Sequence, residues 1–501
     1  MSVRRRILLM SIIFPVSNLA LSLTQSSRVY LFQQARCLSY YRVNDPTKID
    51  SENGVEESLC KGEGVQYPLS IIVGVDAILT MLPVLLVLGI YQQLLARVGL
   101  RSLLLVSLFC SATGVFLSTV VFWMRQPWST PVALISDVFD VIGGGEMTRT
   151  MILSTCIAEI SHPDNLTTTY NYITGTYFLA SVGGATFASL LLSHHVYLLN
   201  GLSVMGFILT AMIAMLIPSH CGRDSKLAAD AVPILSPFED DQTPPLSPKE
   251  SMTDDENQVM ISGNPSPESR RQNVNQLALD RVLLTSWHAS YMSLVTIFRT
   301  DNPTFTVVIL FLINGLAKNV EVIIPQYTSL VLSWPLAKVD AVLALKSLVS
   351  ALVCFCLPSF RKTYLEPHLS TPKIDLLITQ VSLAIYVTGT VGLGFSGVFA
   401  SAGLFITCIC IYASGIGLVD SLTSYGTFSL APGQTVADFY TRQSLIYTFA
   451  GLAGAPLWSG LFSLILRSKV LPFGLPFWMC AGLFGAGLGG VGGLRRGWWS
   501  N

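Results

Sequence analysis

SLLLVSLFCSATGVFLSTVVFWM, residues 102–124, runs for 23 residues without one Asp, Glu, Lys or Arg. A helix of that length measures about 34 Å, enough to cross the ~30 Å hydrocarbon core of a bilayer. Lipid offers the backbone no hydrogen-bond partners, so such a segment satisfies itself as a helix. Arg101 and Arg125 bracket the run and mark its two ends. Working outward, eleven further runs fit the same description: roughly 7–28, 68–90, 131–158, 168–193, 196–217, 303–326, 336–358, 373–396, 399–428, 440–466 and 471–494. Twelve spans make an all-α polytopic membrane protein.

Composition agrees. The chain has 501 residues, of which 51% are hydrophobic and only 12% charged, with mean hydropathy +0.57. Soluble domains carry about 25% charged residues, so an ordinary water-facing surface cannot be built from this chain. Thirty basic residues balance thirty acidic ones. With no basic excess there is no electrostatic case for a nucleic-acid partner.

Arg4, Arg5 and Arg6 precede the first apolar run, as in a signal peptide. The run is too long for one, contains Pro15 and continues into a polar tail, so it is expected to stay as span one. With the amino terminus cytoplasmic, fourteen Lys and Arg near span ends fall inside and eight outside. The positive-inside rule favours that orientation, with both termini cytoplasmic.

Two stretches lie outside the spans. Residues 34–67 are expected to form an outer loop. The second, 218–300, separates a six-span half, 1–217, from another, 301–501. Within 222–275 stand seven prolines and ten acidic residues, a composition that cannot bury enough apolar surface to offset its ordering entropy. Residues 276–300, with Leu279, Val282, Leu283, Trp287 and Leu294 near helical spacing, suggest an interfacial helix. Two six-helix halves with a substrate site between them describe a large transporter fold.

Most of the ten cysteines sit within apolar runs as small hydrophobes. Cys37 and Cys60 share the outer loop on the oxidising side, where a disulfide is expected. No metal-ligating cluster, phosphate loop or catalytic constellation is present, so neither an enzyme nor a cofactor is expected. The sequon Asn165-Leu166-Thr167 falls on the cytoplasmic side and is expected to be unused.

The loop between spans two and three reads Gln92-Gln93-Leu94-Leu95-Ala96-Arg97-Val98-Gly99-Leu100-Arg101. It resembles the major facilitator signature G-x-L-A-D-R-x-G-R-R/K. Arg97, Gly99 and Arg101 match; Gln92 replaces the first glycine and Ala96 the aspartate. Gln326-Tyr327-Thr328-Ser329, Trp334 and Ala337 are similar to the fungal branch, whose members include exporters of secondary metabolites and which is distantly similar to proton-coupled folate carriers. The resemblance implies a gating role for Arg97, Gly99 and Arg101, and a cavity lined by spans one, four, seven and ten. Span five lacks the Gly-Pro motif of drug/proton antiporters, which leaves the direction of transport open.

Charges inside spans are functional candidates by default. Span four carries Asp137, Asp140, Glu146 and Arg149. Glu146 and Arg149 stand at i,i+3 and form either a locking ion pair or part of a cavity face; Asp137 is expected near the outer surface. Gly143-Gly144-Gly145 reads as close helix packing. In span seven, Lys318 either receives an anionic group or neutralises Glu321. Asp420 in span ten echoes Glu146, Asp76 in span two is a lone buried acid, and Tyr172 in span five is a polar contact.

The expected function is transport of a small organic solute by alternating access, coupled to protons through Glu146, Asp420 or Asp76. Export of a secondary metabolite is favoured over proton-coupled uptake of an organic anion or nutrient, with a non-transporting sensor or scaffold as the other class. The protein is expected to act as a monomer in the lipid bilayer, most readily at the plasma membrane, with a vacuolar or other endomembrane as the alternative.

Overall fold

The computed structural model describes residues 3–49, 55–124, 129–146, 148–150, 152–153, 166–217, 302–428, 436–468 and 470–499. The expected linker and interfacial helix, and Asn165 of the sequon, lie outside them. No strand occurs among the described residues, and eleven helices there are long and apolar enough to cross a membrane. The expected span four, 131–158, is described only in part, which is why the count stands at eleven rather than twelve.

Helices α1 (Val3–Asn44), α2 (Glu63–Val98) and α3 (Leu100–Trp123) form spans one to three. Helix α1 has 42 residues, about 63 Å at the usual rise, twice what a bilayer core needs. It therefore runs on through much of what the sequence suggests is loop, and the polar connection shortens to 45–62. Gly99, between α2 and α3, has φ +89°, a backbone region L side chains rarely adopt, which accounts for glycine at that motif position.

Span four is not one rod. It breaks into α4 (Ser129–Ile135) and α5 (Val138–Gly143). It then turns through Gly144 and Gly145, with φ +74° and +67°. The glycine run therefore serves a left-handed break as well as packing; only Gly143, where a Cβ would stand 2.7 Å from Cys110 Cβ, fits the close-approach reading. Helix α6 (Leu166–Ala214) carries spans five and six across a kink at His195.

The second half repeats these interruptions. Span seven passes from α7 (Asn302–Lys318) through a 3-10 turn, Asn319–Ile323, into α8 (Ile324–Val331). Span eight is α9 (Leu336–Phe360), closed by a π turn at Arg361–Leu365, and span nine is α10 (Thr371–Phe399). Span ten breaks at Gly415 between α11 (Ala402–Ser414) and α12 (Gly417–Phe428). Helices α13 (Val436–Ser468) and α14 (Leu475–Trp499) complete the bundle. A break inside hydrocarbon is tolerated only where the freed backbone is buried in protein or lines a cavity.

The largest buried apolar cluster is drawn wholly from residues 307–491 and centres on Tyr327, Tyr386, Tyr412, Trp458 and Phe484. A second, from Leu9 to Ile217, also takes in Leu445. Helix α9 lies along α6, and α13 along α2, so the two halves meet on two seams. Glycines let these seams close: a Cβ on Gly74 would fall 2.2 Å from Ser459 Oγ, and one on Gly175 would fall 2.9 Å from the Phe355 ring.

Candidate functional site

Between the seams lies a cavity of about 510 Å³ with walls from both halves. Six carboxylates line it (Asp76, Asp137, Asp140, Glu146, Glu321 and Asp340) together with three cations, Arg28, Arg149 and Lys346. Apolar walls come from Phe32, Met81, Phe178, Phe207 and their neighbours.

Arg28, on α1, organises the first-half side. Its Nη2 donates to both Asp137 oxygens at 2.6 and 2.7 Å, and the same nitrogen meets Asp76. Asp76 is therefore not a lone acid, and Asp137 is only 4% exposed and lines the cavity. The helix break at Ser136–Asp137 turns that carboxylate inward. Arg28 sits at the end of the expected span one, and its distance in sequence from both acids hides the pairing. That one nitrogen can serve both acids because it carries two hydrogens in the guanidinium plane, one for each carboxylate.

Glu146 and Arg149, read either as a locking ion pair or as a cavity face, have no direct bridge between them among the described residues, and both line the cavity. Arg149 instead donates to Ser111 Oγ at 2.5 Å, and Ser111 donates to Asp140 Oδ1 at 3.1 Å. Its guanidinium also lies 5.4 Å from the Phe207 ring centre, a favourable place for a cation. Glu146 faces the cavity.

In the second half Glu321 pairs with Lys346 of α9, not with Lys318. Tyr412 donates to the other oxygen of Glu321 at 2.9 Å. The helix tightens to a 3-10 turn directly after Lys318, and Glu321 is held there by side chains of α9 and α11. Lys346, deeper in span eight than Lys338, is a residue the sequence reading passed over, although a charge at that depth was itself the signal. Asp420 Oδ2 is buried without a hydrogen-bond partner among the described residues, near Lys318 and Thr174, and outside the cavity wall. Tyr172 is also outside it: its ring packs 6.2 Å from that of Phe355 on the seam between α6 and α9.

Asp340, at 6% exposure, is a second residue the sequence reading missed. It accepts from Ser26 at 3.1 Å and so ties α9 to α1. The halves are also joined beyond the cavity. Cys37 and Cys60 are linked by a disulfide, and beside it Lys61 donates to the carbonyls of Ser333 and Trp334 at 3.0 and 3.1 Å. Glu57 accepts from the Leu336 N–H at 2.8 Å. Within the second half alone, Arg361 donates to Asp375 at 2.7 Å and Ser424 donates to that acid's other oxygen at 2.6 Å. In the gating-loop motif, Gly99 provides the turn and Arg101 is part-exposed, while the Arg97 side chain lies outside the described residues.

The cavity is two-sided and charged, with walls from spans one, four and seven as expected but none from span ten among the described residues. The human organic anion transporter MFSD10 superposes with a TM-score of 0.56 over 98% of this chain and 100% of its own, at 14% identity. The chain has the major facilitator fold. No family model matches it. Among curated proteins, the MFS efflux pump atnC of Emericella nidulans is 22% identical over 478 residues, covering 95% of this chain and 84% of the relative. The MFS transporter SAT21 of Stachybotrys chartarum is 22% identical over 480 residues, covering 95% and 94%. The chain thus resembles fungal major facilitator transporters along almost its whole length. Its apolar helices make it a multi-pass membrane protein of that fold, and the curated relatives it resembles are transporters.

Proposed function

We propose that this protein moves a small organic solute through the central cavity by alternating access, using a proton gradient, and that it exports a secondary metabolite as its cargo. The cavity carries the reading: about 510 Å³ of space is lined by charged groups from both halves, so rocking one half against the other would expose the same groups to each side in turn. Carboxylates with no cation beside them are where a proton can bind and leave. Export takes its support from the relative described as an efflux pump and from the fungal resemblance. Glu146, on the cavity wall with no cation bridged to it among the described residues, is the preferred coupling acid, and Asp76 would take a proton as it parts from Arg28. Asp420 contributes through the Lys318 side of span ten.

Comparative metabolite profiling of cells with and without the gene, inside and outside, tests the reading. Loss of the gene should raise one solute within the cell and lower it outside. Purified protein in vesicles should then drive that solute against its gradient when a pH difference is imposed. A protein that binds the solute yet never accumulates it would be a sensor rather than a carrier.

A further inference from the structure

The cavity holds more negative than positive charge. Arg28 is shared between two acids, Arg149 reaches Asp140 only through Ser111, and Lys346 is committed to Glu321. That leaves Glu146 and Asp340 facing the space with no cation within ion-pair distance among the described residues. Asp340 is more than nine-tenths buried and accepts only one serine hydroxyl. Uncompensated carboxylates in a confined, water-poor space stay charged only when a cation joins them, and are otherwise protonated.

We infer that the solute is an organic cation, a protonated or quaternary nitrogen on an apolar, partly aromatic body, held by Glu146 on one half and Asp340 on the other. The inference rests on the transporter reading above and adds the solute's charge to it. Phe178, Phe207 and Tyr177 give the apolar and aromatic wall such a body needs, and aromatic faces themselves attract a cationic nitrogen. The assignment also explains coupling without a separate device. A proton and the cation claim the same carboxylates, so loading one releases the other and the two move in opposite directions. Around Glu146 stand Arg149 and Asp140 of span four and Tyr177 of span five. Around Asp340 stand Ser26 and, further out, Glu57. Neither site brings a lysine or arginine into direct contact with the acid.

The experiment uses the purified full chain in proteoliposomes, with a pH difference imposed in either direction. Rhodamine 123 and fluorescein share a xanthene ring system and differ in charge. The expected result is protein-dependent, gradient-driven movement of rhodamine 123 at least tenfold faster than that of fluorescein. Its apparent affinity should weaken as the cavity side is acidified. Glu146→Gln and Asp340→Asn should each cut rhodamine movement at least fivefold, whereas Glu146→Asp should retain it and show that the charge, not the fold, is what was lost. Movement of fluorescein instead, or of both dyes alike, overturns the cation assignment and leaves the transporter reading intact. Rhodamine movement indifferent to both neutral variants overturns the two residues. If folded protein moves neither dye, both the assignment and the transporter reading fail.

Discussion

A single nitrogen of Arg28 donates to both carboxylate oxygens of Asp137, at 2.6 and 2.7 Å, from a residue 109 positions away in sequence. Because that nitrogen also holds Asp76, spans one, two and four are fastened at one point. Removing Arg28 leaves two acids facing each other in a dry wall. Breaking a buried pair from one side costs about 3–5 kcal/mol, so Arg28→Gln should lower the thermal midpoint in detergent by several degrees. Adding Asp137→Asn to that variant should recover part of the loss. A midpoint unchanged in the single variant would show that the triad contributes nothing to stability.

Lys346 and Tyr412 both serve Glu321. Tyr412→Phe removes one neutral donor and should cost about 1–2 kcal/mol. Lys346→Met strands the acid and should cost distinctly more. Chemical or thermal unfolding of the two variants side by side gives the order, and the reverse order would remove Lys346 from its assigned role.

Gly144 turns span four in a left-handed conformation, where a Cβ would also press within 2.9 Å of the Thr148 side chain. Gly144→Ala should therefore destabilise by about 1–2 kcal/mol from backbone strain alone, before the contact is counted. Alanine at Gly201, where a Cβ would meet nothing within 4 Å, is the matched control and should be neutral or stabilising by a few tenths. Equal midpoints for the two variants would place the break elsewhere.

The seam between α2 and α13 closes on Gly74, where Ser459 leaves no room for a side chain. Gly74→Val should hold the halves apart there and bias the molecule toward the opposite conformation. Single-cysteine labelling at cavity positions, read from each side of the membrane in turn, would register the change as a swap in which side reacts. Unchanged labelling would mean that the seam yields by local repacking.

Cys37 and Cys60 close a loop with a separation of 23 in sequence, and a cross-link of that size contributes about 3 kcal/mol in the loop-entropy account. Cys37→Ser, Cys60→Ser and the double variant should lose similar stability, and reductant should erase the difference from the parent. A double variant much weaker than either single one would show that the thiols matter for something other than the bond.

How much of this was readable beforehand follows from where the signal lies. Span positions were legible because hydrocarbon imposes one rule on every residue of a span, as 102–124 shows. The acids at 76, 137, 140, 146 and 321 stood out for the same reason, and all five line the cavity. Their partners did not, since Arg28, Ser111 and Lys346 meet them through tertiary packing that no local spacing encodes. At Glu146–Arg149 and Lys318–Glu321 the i,i+3 spacing gives proximity but does not choose the partner; Arg149 is drawn to Ser111 and Glu321 to Lys346, both from neighbouring helices. Asp340, which the sequence reading did not name, lines the cavity, while Tyr172, read as a polar contact, packs on a seam.

The loop around the disulfide has one last consequence. Lys61 and Glu57 grip the far half only through backbone carbonyls and one backbone amide, groups every residue but proline possesses. The latch is therefore indifferent to the side chains it seizes at Ser333, Trp334 and Leu336, while the arm that swings it is riveted by a covalent bond. Parting the halves at this end sacrifices a few exchangeable hydrogen bonds that water can replace at once. The rivet guarantees that the same two side chains return to the same place on each cycle.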